Sequence, residues 1–260
     1  MEYATTVRSD LGNVASGATD VAALQLDHAN IHGFLSTAGA VPQVSSDGLI
    51  GPFGTAPGVI DTSRVATDFN ATFPVIAAPV DGTLVSPLGD TLGVAGQTTR
   101  WRTPFIKLSG KQTLTILGHV TLVITAMPGT SAIDITGSAS IVIAADSSLA
   151  IYVEGDVQIA GNGVANANIQ PVSFQLWGTN TTEVGQSIQI TGNGSLHAIV
   201  YAPQGDVTLN GNGDFLGSIV ARDITLSGNA VDNAPFGPEA WRLITSATER
   251  KAKGVLFEGW

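Results

Sequence analysis

The chain has no cysteine, few charges and no long apolar run, and each shortage removes a class of answer. With Cys 0 there is no disulfide to staple a core and no thiolate for catalysis or metal binding. Lys and Arg number 11 against 21 Asp and Glu, for a net charge of −10 and a pI near 4.6. Phosphate backbones are held by clustered cations, so nucleic acid is excluded as a partner. No apolar run approaches the ~18 residues of a spanning helix, so no membrane span is read in this chain. No basic stretch followed by an apolar core opens the sequence, so no export signal is read there. Charged residues are 12% and aromatic residues 6%, and no heptad recurs, which argues against a helical bundle.

What is abundant is glycine, at 31 residues, inside a chain that is 43% hydrophobic. It recurs in a phrase: D-V-Q-I-A-G-N-G at 156–163, S-I-Q-I-T-G-N-G at 187–194, D-V-T-L-N-G-N-G at 206–213 and D-I-T-L-S-G-N-A at 223–230. Two apolar residues separated by one polar residue form a half-buried strand, because side chains alternate between faces. The Gly-Asn that follows tolerates positive φ and so turns the chain sharply. The corner glycines Gly161, Gly192, Gly211 and Gly228 lie 31, 19 and 17 residues apart. A unit this short cannot cover its own apolar face, so it stacks on its neighbours. Looser copies at 106–110, 114–118 and 133–137 extend the pattern upstream. The expected fold is all-β, a single-domain parallel β-solenoid of roughly eight to eleven coils at about 17–24 residues each.

The flanks read differently. Residues 1–20 are a leader or cap, and the solenoid runs over 21–236 with an irregular insertion at 41–87. That insertion holds six of the 12 prolines, and proline removes a ladder donor. Within it, Asp61 or Ser63 is expected to cap a short helix over 61–69, with Val65 and Phe69 four apart. In 237–260, Pro238 follows Gly237, Trp241, Ile244, Ala247 and Thr248 form a stripe, and Arg250, Lys251 and Lys253 sit near the end. These predict a C-terminal capping helix, followed by an apolar tail whose Val255, Leu256, Phe257 and Trp260 are candidates for self-association.

Residues 206–230, D-V-T-L-N-G-N-G-D-F-L-G-S-I-V-A-R-D-I-T-L-S-G-N-A, with L-H-A-I-V-Y-A-P at 196–203, resemble the uncharacterised Gly-Asn-repeat β-solenoid domain of bacterial prepilin-like, pilus-assembly-like surface proteins. The likeness continues through 30–39 and 51–69. It implies an exported protein of the bacterial surface or extracellular space, and it brings no activity with it. Many members follow the last Ser-Gly-Asn with His-Tyr-Asp-Glu, where this chain has Val231–Pro235. A more distant likeness to bactofilins, short polymer-forming β-solenoids, rests on architecture alone.

Four groups of residues are candidate sites. Asn162, Asn193, Asn212 and Asn229 form a corner ladder, read as structural because stacked amides satisfy one another. Asp156, Asp206 and Asp223 stack one strand spacing apart, roughly 4.8 Å. They repel unless a cation or a donor lies between them, which makes Ca²⁺ a candidate ligand, although the dense D-x-D-x-D pattern of dedicated sites is missing. Trp101 and Trp177, with the 41–87 flap, are candidate glycan contacts by aromatic stacking. His28, His32, His119 and His197 lack metal-ligand spacing. No G-x-S-x-G, H-E-x-x-H or phosphate loop occurs. The chain is therefore expected to be a non-catalytic structural module that binds no cofactor and assembles with itself into a fibre or layer. A glycan-binding module is the alternative, and a polysaccharide lyase or hydrolase on a β-helix is the third reading.

Overall fold

The computed structural model describes residues 13–20, 24–26, 30–182, 184–192, 196–211, 215–227, 242–245 and 252–253. Among them the fold is all-β, and helix is confined to two short 3-10 turns, Thr62–Arg64 and Pro171–Ser173. One sheet gathers 17 strands. Successive strands pair in parallel, so the sheet curls on itself in the manner of a β-solenoid.

Register shows why these residues make strands. On one wall a single column runs Trp101, Leu122, Ile151, Leu176, Val200, Ile219, Leu243, Val14, Leu35 and Val65, each the Cα partner of the next. On a second wall Leu108, Ile135, Ile159, Ile190, Leu209 and Leu226 are aligned in the same way. Ile151, Leu176 and Val200 are fully buried, and Ile190 and Leu209 nearly so. A one-residue slip would carry a whole column to the outside, so the alternating pattern fixes the register. Each buried Ile or Leu contributes about 1.5–3 kcal/mol. A third wall, Leu92–Ile116–Ile143 and Leu114–Ile141–Val164, closes the lower coils.

The order of levels departs from the order of the sequence. Above the Phe215–Ser227 strand lies Arg242–Thr245, and on that lie the N-terminal strands Val14–Ser16, Leu35–Thr37 and Val65–Ala66. The first coils of the chain therefore sit on its last. Residues 67–90 must then return along the outside to the opposite end, where Thr91–Thr103 restarts the climb. Three contacts mark that path. Phe69 N–H donates to Thr37 O, Tyr201 Oη donates to Pro74 O, and Arg102 Nη1 donates to Val80 O. Arg100 grips Asp81 through both carboxylate oxygens, at 2.9 and 2.6 Å. The second half of the proline-rich stretch, beyond Ala66, is an axial strap. Its two ends are also the two ends of the ladder, Val65–Ala66 at the top and Thr83–Leu84 pairing Trp101–Arg102 at the bottom.

Two expectations need correction and one needs trimming. Among the described residues the C-terminal helix finds no support, because Arg242–Thr245 and Ala252–Lys253 are strands. Leu243–Thr245 is rich in β-branched residues, and the open edges of two neighbouring strands offer it ladder bonds that a helix would leave unmade. The ladder begins at Val14–Ser16, inside the stretch assigned to a leader. Over 61–69 the helix is a single 3-10 turn. Asp61 does cap it, accepting from Ser63 N–H and Oγ, and the low pKa of its carboxyl follows from those bonds.

Candidate functional site

Two outward columns bring together residues that the sequence singled out. The first runs along the second wall. Ser131 pairs Asp156, Ser187 pairs Asp206 and Asp206 pairs Asp223, while Ser187 N–H donates to Asp156 Oδ1 at 2.9 Å. Asp206 and Asp223 are thus one level apart, where bare carboxylates repel. The charge between them comes from the chain itself. Arg222 makes a bidentate pair with Asp206, Nε to Oδ1 at 2.8 Å and Nη2 to Oδ2 at 2.7 Å, and its Nε lies 3.9 Å from Asp223 Oδ2. Planar guanidinium matches a carboxylate with two parallel bonds, and those bonds raise the Arg222 pKa further.

Space for this arginine is made by Gly185. A Cβ there would lie 2.5 Å from Arg222 Nη2 and 3.2 Å from Cζ. Beside it the buried Gln186 reaches down to Val153 O at 3.0 Å and Gly155 O at 2.8 Å. Among the described residues no three His, Asp or Glu side chains converge as metal ligands. Sequence reading missed Arg222, yet the signal was present. It is the only Arg in the long stretch from Thr103 to the last repeat at Ala230, and it immediately precedes a column Asp.

The corner residue Asn162 donates its amide to Ser138 O at 3.0 Å, one coil down. Asn193, Asn212 and Asn229 lie outside the described residues, as do Val255, Leu256, Phe257, Trp260 and His28. Two other asparagines carry the same kind of inter-coil bond. Asn168 donates to Ala144 O and Ser147 O, and Asn166 to Gln170 O and His197 O. His119 Nδ1 lies 2.9 Å from Ser148 Oγ across one level, and His32 Nδ1 lies 3.2 Å from Gly51 O.

The second column is aromatic. Tyr152, Trp177 and Tyr201 are successive Cα partners on the outer face of the first wall. Ring centroids are 6.1 Å apart for Tyr152 and Trp177, nearly parallel at 16°, and 5.6 Å for Trp177 and Tyr201. All three are half-buried. The Tyr201 hydroxyl is engaged by the strap, and burial pushes its pKa up. Trp101 belongs elsewhere. It lies in the Leu122–Ile151 column, packs on the core and donates Nε1 to Thr99 Oγ1 at 3.0 Å. The two tryptophans therefore do not share a surface column.

Curled parallel strands, a charge column partly compensated by Arg222 and an aromatic column define an all-β protein whose surface side chains tie one coil to the next. Residues 104–235, slightly more than half of the chain, match the family described as Domain of unknown function (DUF7305), and the chain belongs to that family. The matched span contains the Asp206–Arg222–Asp223 cluster and the Tyr152–Trp177–Tyr201 column. No curated protein and no solved structure matches the chain.

Proposed function

We propose that the protein is a non-catalytic structural module, a rigid β-solenoid rod that associates with itself at the bacterial surface or in the extracellular space. The observation that carries this reading is the unbroken column from Trp101 to Val65, ten partners long. Outer side chains Arg222, Asn162 and Asn168, and the buried Gln186, each join one level to another. Such bonds stiffen a rod along its axis. The surface location rests on the likeness of residues 206–230 to prepilin-like surface proteins.

Both ladder ends finish in two-residue strands, Val65–Ala66 and Thr83–Leu84. Very short edge strands discourage strand addition, which favours side-by-side association over end-to-end stacking. Electron microscopy and light scattering of the purified protein test the reading. Laterally associated rods are expected as concentration rises, and monomers at every concentration overturn it.

The aromatic column favours a second reading, a glycan-binding module with Trp177 as the central contact. Sugar faces stack on aromatic rings, and Trp177 stands between two tyrosines. Quenching or a blue shift of Trp177 fluorescence by soluble polysaccharide is the expected sign. Unchanged emission alongside an empty glycan array removes it.

A further inference from the structure

We propose that the N-terminal coils, residues 13–66, exchange between copies of this chain, the Val14–Ser16 strand of one molecule seating on the Arg242–Thr245 strand of another. The inference rests on the self-association reading and supplies its mechanism. It starts from the joint between the first and last coils. Val14, Ala15 and Ser16 pair in parallel with Leu243, Ile244 and Thr245, and Leu24 and Gln25 pair with Ala252 and Lys253. These are main-chain ladders between segments more than 200 residues apart in sequence. Nothing in a ladder requires its two strands to share a molecule.

The N-terminal block coheres without that joint. Val14–Ser16 pairs Leu35–Thr37, which pairs Val65–Ala66, and Gln25–Leu26 pairs Gln43–Val44. Asn30–Ile31 pairs Leu49–Ile50. Its interior residues Leu24, Leu26, Leu35 and Ile50 are at most 1% exposed. A body with its own ladders and core moves as a unit, and exchange of an identical element between copies is a low-cost route to association.

The strap sets the reach. Nine steps separate the Val65 level from the Trp101 level, roughly 43 Å at about 4.8 Å per step. Thr83–Leu84 is already paired at the bottom coil, so the free strap is residues 67–82, which can extend to roughly 53 Å at about 3.3 Å each against roughly 48 Å for the ten steps to the Thr83 level. That small excess lets the block land on a rod lying directly alongside while its own strap still reaches its own bottom coil. Strap residues Asn70, Ala71, Thr72, Pro74 and Ala77 are exposed, and Val80 is 88% exposed. A long tether also weakens the preference for the molecule's own end, since effective concentration falls with tether length. Crowded copies then compete for the same seat.

The absence of native cysteine makes the joint directly readable. Three variants are used: Ala15→Cys alone, Ile244→Cys alone, and both in one chain. Neighbouring strand Cα atoms lie within disulfide range. The double variant, oxidised when dilute, is expected to close within one chain and run as a compact monomer on a non-reducing denaturing gel. Equal amounts of the two single variants, refolded together at high concentration and oxidised, are expected to give a band of twice the chain mass containing one chain of each kind. That band, absent when each single variant is treated alone, supports exchange. If light scattering shows oligomers while the mixed band is missing and the double variant closes only on itself, exchange is overturned and self-association stands. Monomers throughout overturn both, and a double variant that never closes overturns the Ala15–Ile244 joint on which the exchange depends.

Discussion

Arg222 and Asp206 face each other across one coil step, joined by Nε to Oδ1 at 2.8 Å and Nη2 to Oδ2 at 2.7 Å, with Asp223 on the same level as the arginine. Two acids that the repeat places in register are made compatible by a residue that the repeat does not contain. Arg222→Met is expected to destabilise the fold by about 1 kcal/mol, a figure already reduced for solvent screening because Asp206 is 46% exposed. Arg222→Lys should recover part of the loss, since it keeps the charge and forfeits the second bond. Urea unfolding at neutral pH reads both.

The strap should loosen at both extremes of pH, by different anchors. The Arg100 guanidinium holds the Asp81 carboxyl below its ordinary value of 3.8, so its contribution is present above that value and lost as pH falls through the lower folded pKa. Burial raises Tyr201 above its ordinary value of 10.0. Its contribution is therefore complete below that value and lost as pH rises through the folded pKa, when the phenol can no longer donate to Pro74 O. Hydrogen exchange over residues 70–85 checks this, with lower protection, relative to the intrinsic exchange rate at each pH, expected in acid and in alkali than at neutral pH. Tyr201→Phe should bring the alkaline behaviour of residues 70–78 to neutral pH, at a cost of about 1 kcal/mol.

Gly161 is a corner glycine at which a side chain fails twice. Its φ is +70°, and a Cβ there would run into the carbonyl of Gly137 in the coil below. Gly161→Ala is expected to cost about 2–4 kcal/mol, combining left-handed strain with displacement of a rigid backbone atom. Thermal unfolding measures it. A substitution that leaves the melting temperature unchanged would show that the corner yields.

Much of this architecture was legible in tandem phrases. The copies at 187–190, 206–209 and 223–226 are aligned in the structure as they align on paper, Ile188 with Val207 with Ile224, because period-two alternation fixes both face and register. Position along the axis was not legible. Local pattern says that Val14–Ser16 is a strand but not which open edge receives it, so its place on the last coil is a tertiary choice. The same choice misled the reading of Arg242–Thr245, taken into a helix by its spacing and placed in a strand between two waiting edges. At the candidate sites the Asp column could be read from spacing, whereas Arg222 sits beside the corner where register shifts between Ala202 and Asp206. Trp101 and Trp177 look alike in sequence. Only pleat parity, one inward and one outward, separates them.

Seating the opening coils on the closing one also imposes an order of events. A ribosome releases Val14 long before Leu243, so the earliest-made strands wait, their docking edge unoccupied, while the remainder of the polypeptide is synthesised. Long-range parallel pairing is slow and leaves apolar surface open to aggregation in the meantime. Completion is thus a final clasp rather than a gradual growth, and chains truncated before residue 242 should emerge with their beginnings unhoused.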